Sequence, residues 1–366
     1  MNMGRARRIV LALAILMLLA GTAMLNGHSI AAEDKFKVGF IYIGPVGDAG
    51  WTLAHDEGRR FMEKQLPWVD SVFIESVPET SEAERMMTQL ARQGCKIIFA
   101  TSFGYMDYVQ NVAKNFPNVK FEHCSGFKRD YANVSTYFGR MYEPRFLSGM
   151  VAGMMTKNNI LGYVAAFPIP EVVRGINAFT RGVRFVNPNA KVKVVWTNTW
   201  YDPATEKEAA KAALDAGADV IAQHQDTPAP MQAAAERGKY GVSYNSPMSQ
   251  FAPNAVLTGP VWNWGPYYVS RIKAAREGTW KSEDYWGGMV DGAIGLAPYG
   301  PMVPDKVKKA VADKQDEIMA GKFHPFAGPI KDNSGKVKVP AGTTMTDAEM
   351  LSFDWFVEGV EGTLPK

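Results

Sequence analysis

The chain has 366 residues, with 40 Lys and Arg against 37 Asp and Glu, two cysteines and nine tryptophans. That length is more than one hydrophobic core fills and fits two domains. A net charge of +3 without a basic block supplies no phosphate-neutralising footprint, which excludes nucleic acid as a partner.

The chain opens with MNMGRARR, a basic stretch, followed by IVLALAILMLLA (9–20), an apolar run too short to span a bilayer comfortably. Ser29-Ile30-Ala31 has the small-x-small form of a signal-peptidase site. Residues 1–31 therefore read as a signal peptide cleaved after Ala31 or Ala32, and the protein as exported to the periplasm. No cysteine precedes Cys95, so no lipid anchor is expected. The signal carries Arg5, Arg7 and Arg8 and no acid, leaving a mature chain with 37 charges of each sign.

The first strand, KVGFIYI, runs into GPVGDAGWT, a glycine-rich turn that opens a helix over 51–66. Strand, turn and helix are laid out as in a dinucleotide fingerprint, but the spacing is G-x-x-G-x-x-G rather than G-x-G-x-x-G. Pro45 has no N–H to donate, and Asp48 would set a carboxylate against a phosphate. Glu75, the candidate ribose acid, comes roughly ten residues late for such a site. The turn is better read as a close approach that presents Trp51, with Asp48 near the helix N-terminus as a cap.

SVFIES, KIIFAT, KFEHC and STYFG continue as strands, with helices over 80–93, 104–115 and 143–156. Thr80-Ser81-Glu82-Ala83-Glu84 is a capping signal. Parallel strands would put Cys95 and Cys124 at opposite ends of the sheet, too far apart to bridge, so two buried free thiols are expected. A second series follows: ILGYVAAF, KVKVVWTN, ADVIAQH and YGVSYN as strands, with helices over 170–186, 203–216 and 227–237. Asp202-Pro203 and Asp226-Thr227-Pro228 mark helix starts. Near the C-terminus, KDNSGKVKVPAGTTMTD reads as a hairpin and AEMLSFDWFVEGVEGTL as a short amphipathic helix. Two consecutive sets of βα units predict an α/β chain with two doubly wound parallel-sheet lobes.

Ligands of such sheets lie outside the carboxyl ends of the strands. There the first lobe offers Asp48, Trp51, Ser102, Phe103 and Tyr105, and the second offers Trp200, Gln223, Asp226, Tyr244 and Asn245. Trp262 and Trp264 open a later helix, and alternation turns one of them toward the cleft. Aromatics with a few polar groups are the composition of a site for a flat, uncharged, hydrogen-bonding ligand. Each residue also has a plainer reading. Phe103 and Tyr105 could pack between helices, Asp48, Asp202 and Asp226 could be helix caps, and Asn245 beside Pro247 could be turn chemistry. The five histidines lack metal-ligand spacing, and neither G-x-S-x-G nor H-E-x-x-H occurs, so no catalytic or metal site and no cofactor are expected.

Several stretches carry a resemblance: GDAGWT, EPRFLSGMVAG (143–153), GYVAAFPIPEVVRGINAFTRGV, TWYDPATEKEAAKAALDAGADVI and GAIGLAPYG. Together they resemble the basic membrane protein family of ABC-transporter substrate-binding proteins, which includes the purine nucleoside receptors. The resemblance covers essentially the whole mature chain. It implies a periplasmic-binding-protein fold that is not an enzyme, closes on a purine and delivers it to an ABC permease; a monomer is expected. The base would be sandwiched between Trp51, where nucleoside receptors carry phenylalanine, and Trp200. Trp262 and Asn245 occupy regions where those receptors place charged ribose contacts. That departure favours a bare nucleobase such as adenine over a nucleoside; a sensor feeding a membrane receptor would use the same cleft. The N-terminal lobe is expected over 35–139 plus 261–288 and the C-terminal lobe over 140–257 plus 295–366. Hinge crossings fall near 136–140, 257–260 and 289–295.

Overall fold

The computed structural model describes residues 35–365; the expected signal peptide lies outside the described residues. The first sheet is built by β1 (Phe36–Ile41), β2 (Val69–Ile74), β3 (Ile97–Ala100), β4 (Lys120–Cys124) and β5 (Val134–Gly139). Helices α1 (Trp51–Gln65), α2 (Ser81–Arg92) and α3 (Met106–Asn115) connect its strands, and α4 (Tyr142–Met155) follows β5. Its spatial order is β2-β1-β3-β4-β5, all parallel, so the order reverses between β1 and β3. β3 is wholly buried because helices cover both faces, which is why its sequence is a continuous apolar run.

The second sheet repeats the plan with β6 (Ile160–Ala165), β7 (Lys191–Trp196), β8 (Val220–His224), β9 (Tyr240–Val242) and β10 (Val256–Thr258). Helices α5 (Pro170–Val186), α6 (Pro203–Asp215) and α7 (Ala229–Glu236) lie between its strands. Here the reversal falls between β6 and β8. Helices α4 and α5 press together through glycine: a Cβ on Gly149 would overlap the Phe179 carbonyl, and one on Gly182 the Phe146 carbonyl.

After β10 the chain runs through β11 (Pro260–Trp262) and α8 (Gly265–Glu277), and β12 (Asp284–Gly287) joins the first sheet beside β5. Buried Glu122 anchors α8, accepting from Arg271 at 2.6 Å and Tyr267 at 2.8 Å, and it also accepts from Trp280. β13 (Ile294–Leu296) returns antiparallel to β11, so two crossing segments run side by side between the lobes. Helix α9 (Asp305–Met319), a hairpin of β14 (Ile330–Lys331) and β15 (Val337–Val339), and α10 (Asp347–Leu351) follow. β16 (Val360–Glu361) ends on β7.

The expected C-terminal helix is reduced to the five residues of α10. Its apolar positions Phe353, Phe356 and Val357 are buried, and Gly359 adopts positive φ and turns the chain into β16. Cys95 and Cys124 are both free and buried, at opposite ends of neighbouring parallel strands.

Candidate functional site

The glycine turn closes on itself. Asp48 accepts from Gly50 N at 2.8 Å, Thr52 N at 2.7 Å and Leu53 N at 3.0 Å. The N–H groups a phosphate would use at the start of α1 are thus held by a carboxylate. Asp48 is buried, and burial, partly offset by these donors, pushes its pKa up to about 6. It acts as the cap and does not line the cleft.

Trp51, the first residue of α1, does. Its Nε1 donates to the Thr101 carbonyl at 2.7 Å, and its ring meets His55, Trp262 and Trp264 edge-on. Ser102 and Phe103, just past β3, line the same space. Together they occupy the reversal point of the first sheet, where the loops after β1 and β3 diverge. From the second lobe come Trp200, beyond β7, and Asp226, just past β8. The lobes meet through several contacts. Trp200 Nε1 lies 3.4 Å from Glu79 Oε2, while Glu79 Oε1 accepts from Ser102 Oγ at 2.6 Å. Ser246 Oγ donates to the Ala49 carbonyl. A Cβ on Gly50 would overlap the Asp226 carbonyl oxygen, so this glycine permits the close approach. In this arrangement the cleft leaves a cavity of about 20 Å3, room for little more than a water molecule, so a solute must part the two walls to enter.

Three of the other expected residues lie one layer behind. Tyr105 is fully buried in the first lobe and donates its hydroxyl to the Val77 carbonyl. Asn245 Nδ2 donates to Asp226 Oδ1 at 3.1 Å, and its Oδ1 accepts from Trp262 Nε1 at 2.9 Å. Trp262 belongs to β11 rather than to a helix and stacks on Trp264 with ring centroids 4.5 Å apart. Both tryptophans are buried and pack behind Trp51 rather than lining the cavity beside it. Asp202 caps α6 as expected, but Asp226 caps no helix, since α7 begins only at Ala229.

Ile43, Ser125, Glu171, His224 and Tyr244 complete the wall. Glu171 is the consequential omission: it stands in the first turn of α5, which follows β6 at the reversal point of the second sheet. Applying the strand-end rule to β6 as well as β8 would have found it. Burial pushes its pKa up to about 7 against the pull of Arg174 and Arg145. Its Oε1 lies 3.4 Å from His224 Nε2. Burial, followed by Arg145 and Arg174, holds His224 well below its ordinary pKa and keeps it neutral. Asp226 is raised well above the carboxylate range by burial and then by the facing Asp48. Its Oδ2 has no hydrogen-bond partner among the described residues. The second wall thus carries carboxyl groups able to accept from, or when protonated donate to, the edge of a planar ligand.

Two α/β lobes enclosing an aromatic cleft at the facing ends of their sheets define a solute-binding protein of the periplasmic-binding type. The sequence gives the family: residues 35–325 match the PnrA-like ABC transporter substrate-binding proteins (Bmp), and the chain belongs to that family. It is 46% identical over 341 residues to the purine-binding protein BAB2_0673 of Brucella abortus, covering 93% of this chain and 97% of that one. A Haloferax volcanii protein named as a candidate ABC transporter glucose-binding protein, TsgA13, is 42% identical over 340 residues, covering 93% of this chain and 84% of that one. Among solved structures, an ABC transporter solute-binding protein from Aeropyrum pernix superposes with a TM-score of 0.70 at 18% identity. That match covers 87% of this chain and 98% of the other, and it carries the fold alone. The family binds and delivers solutes, and the protein is not an enzyme.

Proposed function

We propose that this is the exported, periplasmic receptor of an ABC importer. It binds a purine, in the first place a nucleobase such as adenine, and passes it as a monomer to a membrane permease. The observation that carries this reading is one cleft lined by Trp51 from the first lobe and Trp200 from the second, with Asp226 Oδ2, which has no partner among the described residues, at its edge. Base–aromatic stacking contributes about 1–3 kcal/mol per base. Two faces plus a few hydrogen bonds in a desolvated cleft reach the roughly −8 kcal/mol of micromolar binding. Asp226 and Glu171 would take the exocyclic amine or a ring N–H. The engagement of Asn245 and Trp262 with each other favours a base over a nucleoside. Closure would be a hinge motion about residues 136–140, 257–260 and 289–295.

Tryptophan fluorescence of the mature protein, titrated with adenine, guanine, hypoxanthine, adenosine, guanosine and glucose, tests this. Saturable quenching by a nucleobase at micromolar concentration supports it. Tighter binding of the nucleosides selects the nucleoside receptor, and a response to glucose alone removes the purine.

A further inference from the structure

Behind Glu171 and His224, which with Tyr244 separate it from the cleft, lies a second and more enclosed cavity of about 10 Å3, room for one small buried species. Arg145 of α4, Arg174 and Gly175 of α5, and Tyr244 form its walls. Arg145 is fully buried. Its Nη1 donates to the Gln223 carbonyl at 2.7 Å, and its guanidinium lies 3.6 Å from the centre of the Tyr244 ring. Its Nε has no partner among the described residues, and neither has the Tyr163 hydroxyl or His224 Nδ1. These three atoms converge. Each lies 3.5 or 3.6 Å from the point that a Cβ on Gly175 would occupy. The convergence is not forced by packing. Other glycines of α4 and α5 are pressed against backbone, whereas the atoms nearest a Cβ on Gly175 are these three polar ones, at ordinary van der Waals distance.

The charge balance indicates what belongs there. Arg145 and Arg174 are both buried, and among the described residues neither has a carboxylate within ion-pair distance; Arg174 Nη1 donates to the Met350 carbonyl. Glu171 is the nearby acid, and a carboxyl held at about 7 is protonated over much of the neutral range. Buried charges are normally paired, and a water molecule brings no charge. A protonated Glu171 would donate to His224 Nε2, leaving Nδ1–H to point at the cavity beside Arg145 Nε–H and Tyr163 O–H. Three donors and an uncompensated cation are the recognition chemistry of a small anion.

We propose that this cavity binds a chloride-sized monovalent anion, held by Arg145 Nε, the Tyr163 hydroxyl and His224 Nδ1, as a buried counter-ion of the second lobe. Gly175 keeps the space open for it. The proposal does not depend on which solute the cleft takes.

Crystals of the ligand-free mature protein soaked in bromide provide the direct test, with an anomalous peak expected over Gly175. In solution, chloride replaces isethionate, an anion too large for the cavity, at constant ionic strength. Each tenfold rise in chloride above its dissociation constant should raise the Tm by about 2 °C. Gly175→Ala puts a methyl group into the site and should abolish both the bromide peak and the chloride dependence. If that variant does not fold, Tyr163→Phe removes one donor and should weaken chloride binding about tenfold, one lost hydrogen bond. A refined water without anomalous signal, a wild-type Tm indifferent to chloride and a simple stabilisation by Gly175→Ala would together overturn the proposal. None of these readouts uses a purine, so their failure and a failure of the purine reading remain distinguishable.

Discussion

The two walls of the cleft are built on opposite principles. The first-lobe wall is rigid: Trp51 is 7% exposed, its indole N–H is fixed on the Thr101 carbonyl, and His55, Trp262 and Trp264 pack around its ring. The second-lobe wall is ionisable: half-buried Trp200 sits on a loop against Phe167, and Glu171 and the buried Asp226 and His224 stand beside it. The comparison teaches a division of labour. One lobe supplies a preorganised aromatic face and the other supplies the polar groups that read the ligand's edge, so deleting equivalent groups on the two sides should have unequal consequences.

The largest effect belongs to the rigid wall. Trp51→Ala removes the stacking face and leaves a cavity beside the Trp262–Trp264 stack. Ligand affinity should fall about 100-fold, within the range of one lost base stack. The variant should also lose about 3–5 kcal/mol of stability, read by denaturant unfolding. A stable Trp51→Ala protein would show that the ring is not part of the first-lobe core. Next is the seam between the walls. Gly50→Ala would set a methyl group against the Asp226 carbonyl only when the lobes meet. Calorimetric affinity should therefore fall by about 2.5 kcal/mol, or roughly 70-fold, while the Tm of the ligand-free protein moves little. Unchanged affinity would mean that ligand is held without this close approach.

The ionisable wall makes stability depend on pH. Burial raises Glu171 from an ordinary value of 4.5 to about 7. Below the ordinary value both folded and unfolded chains are protonated, and the contribution is fully present. As pH rises from 4.5 to 7 the unfolded chain releases the proton while the folded chain keeps it, so stability falls through that window. Glu206, also held at about 7 by burial, acts in the same direction. Glu171→Gln should remove about 2 kcal/mol of this loss, measured as a flatter Tm profile between pH 4.5 and 7.5. Trp200→Ala comes next. Affinity should drop about tenfold, with almost no change in Tm because the ring is only half-buried. Equal destabilisation by the two tryptophan deletions would erase the contrast between the walls.

Much of this site was legible because the alternation of strand and helix is strong, and the strand-end rule then points at Trp51, Ser102, Phe103, Trp200 and Asp226. What the rule does not carry is depth. Asn245 and Trp262 lie close to the same edge, yet their side chains bond each other and the back of Asp226, one layer from the ligand space. Glu171 escaped because PIPEVVRG reads as the start of a helix, and its position is functional only once β6 is known to flank the reversal of the second sheet. The cavity behind it was less accessible still. Arg145, Tyr163 and His224 come from a helix and two strands, and only tertiary packing brings their polar atoms over Gly175.

The smallest effect concerns a residue expected among the ligand contacts whose side chain packs away from the cleft. Tyr105 follows β3 in a single 3-10 turn, close to Ser102 and Phe103 in sequence, but its ring turns into the first-lobe core and its hydroxyl donates to the Val77 carbonyl. Tyr105→Phe keeps the ring and removes one buried hydrogen bond, which costs about 1 kcal/mol of stability. Affinity should stay within twofold of wild type, because the ring does not reach the cleft. A drop in affinity without a drop in Tm would move Tyr105 back among the ligand contacts and require the turn after β3 to rearrange on binding. The predicted pattern, lower stability with unchanged affinity, is the reverse of that expected for Trp200→Ala. Measured together, the two variants separate what the first lobe contributes to folding from what the second contributes to recognition.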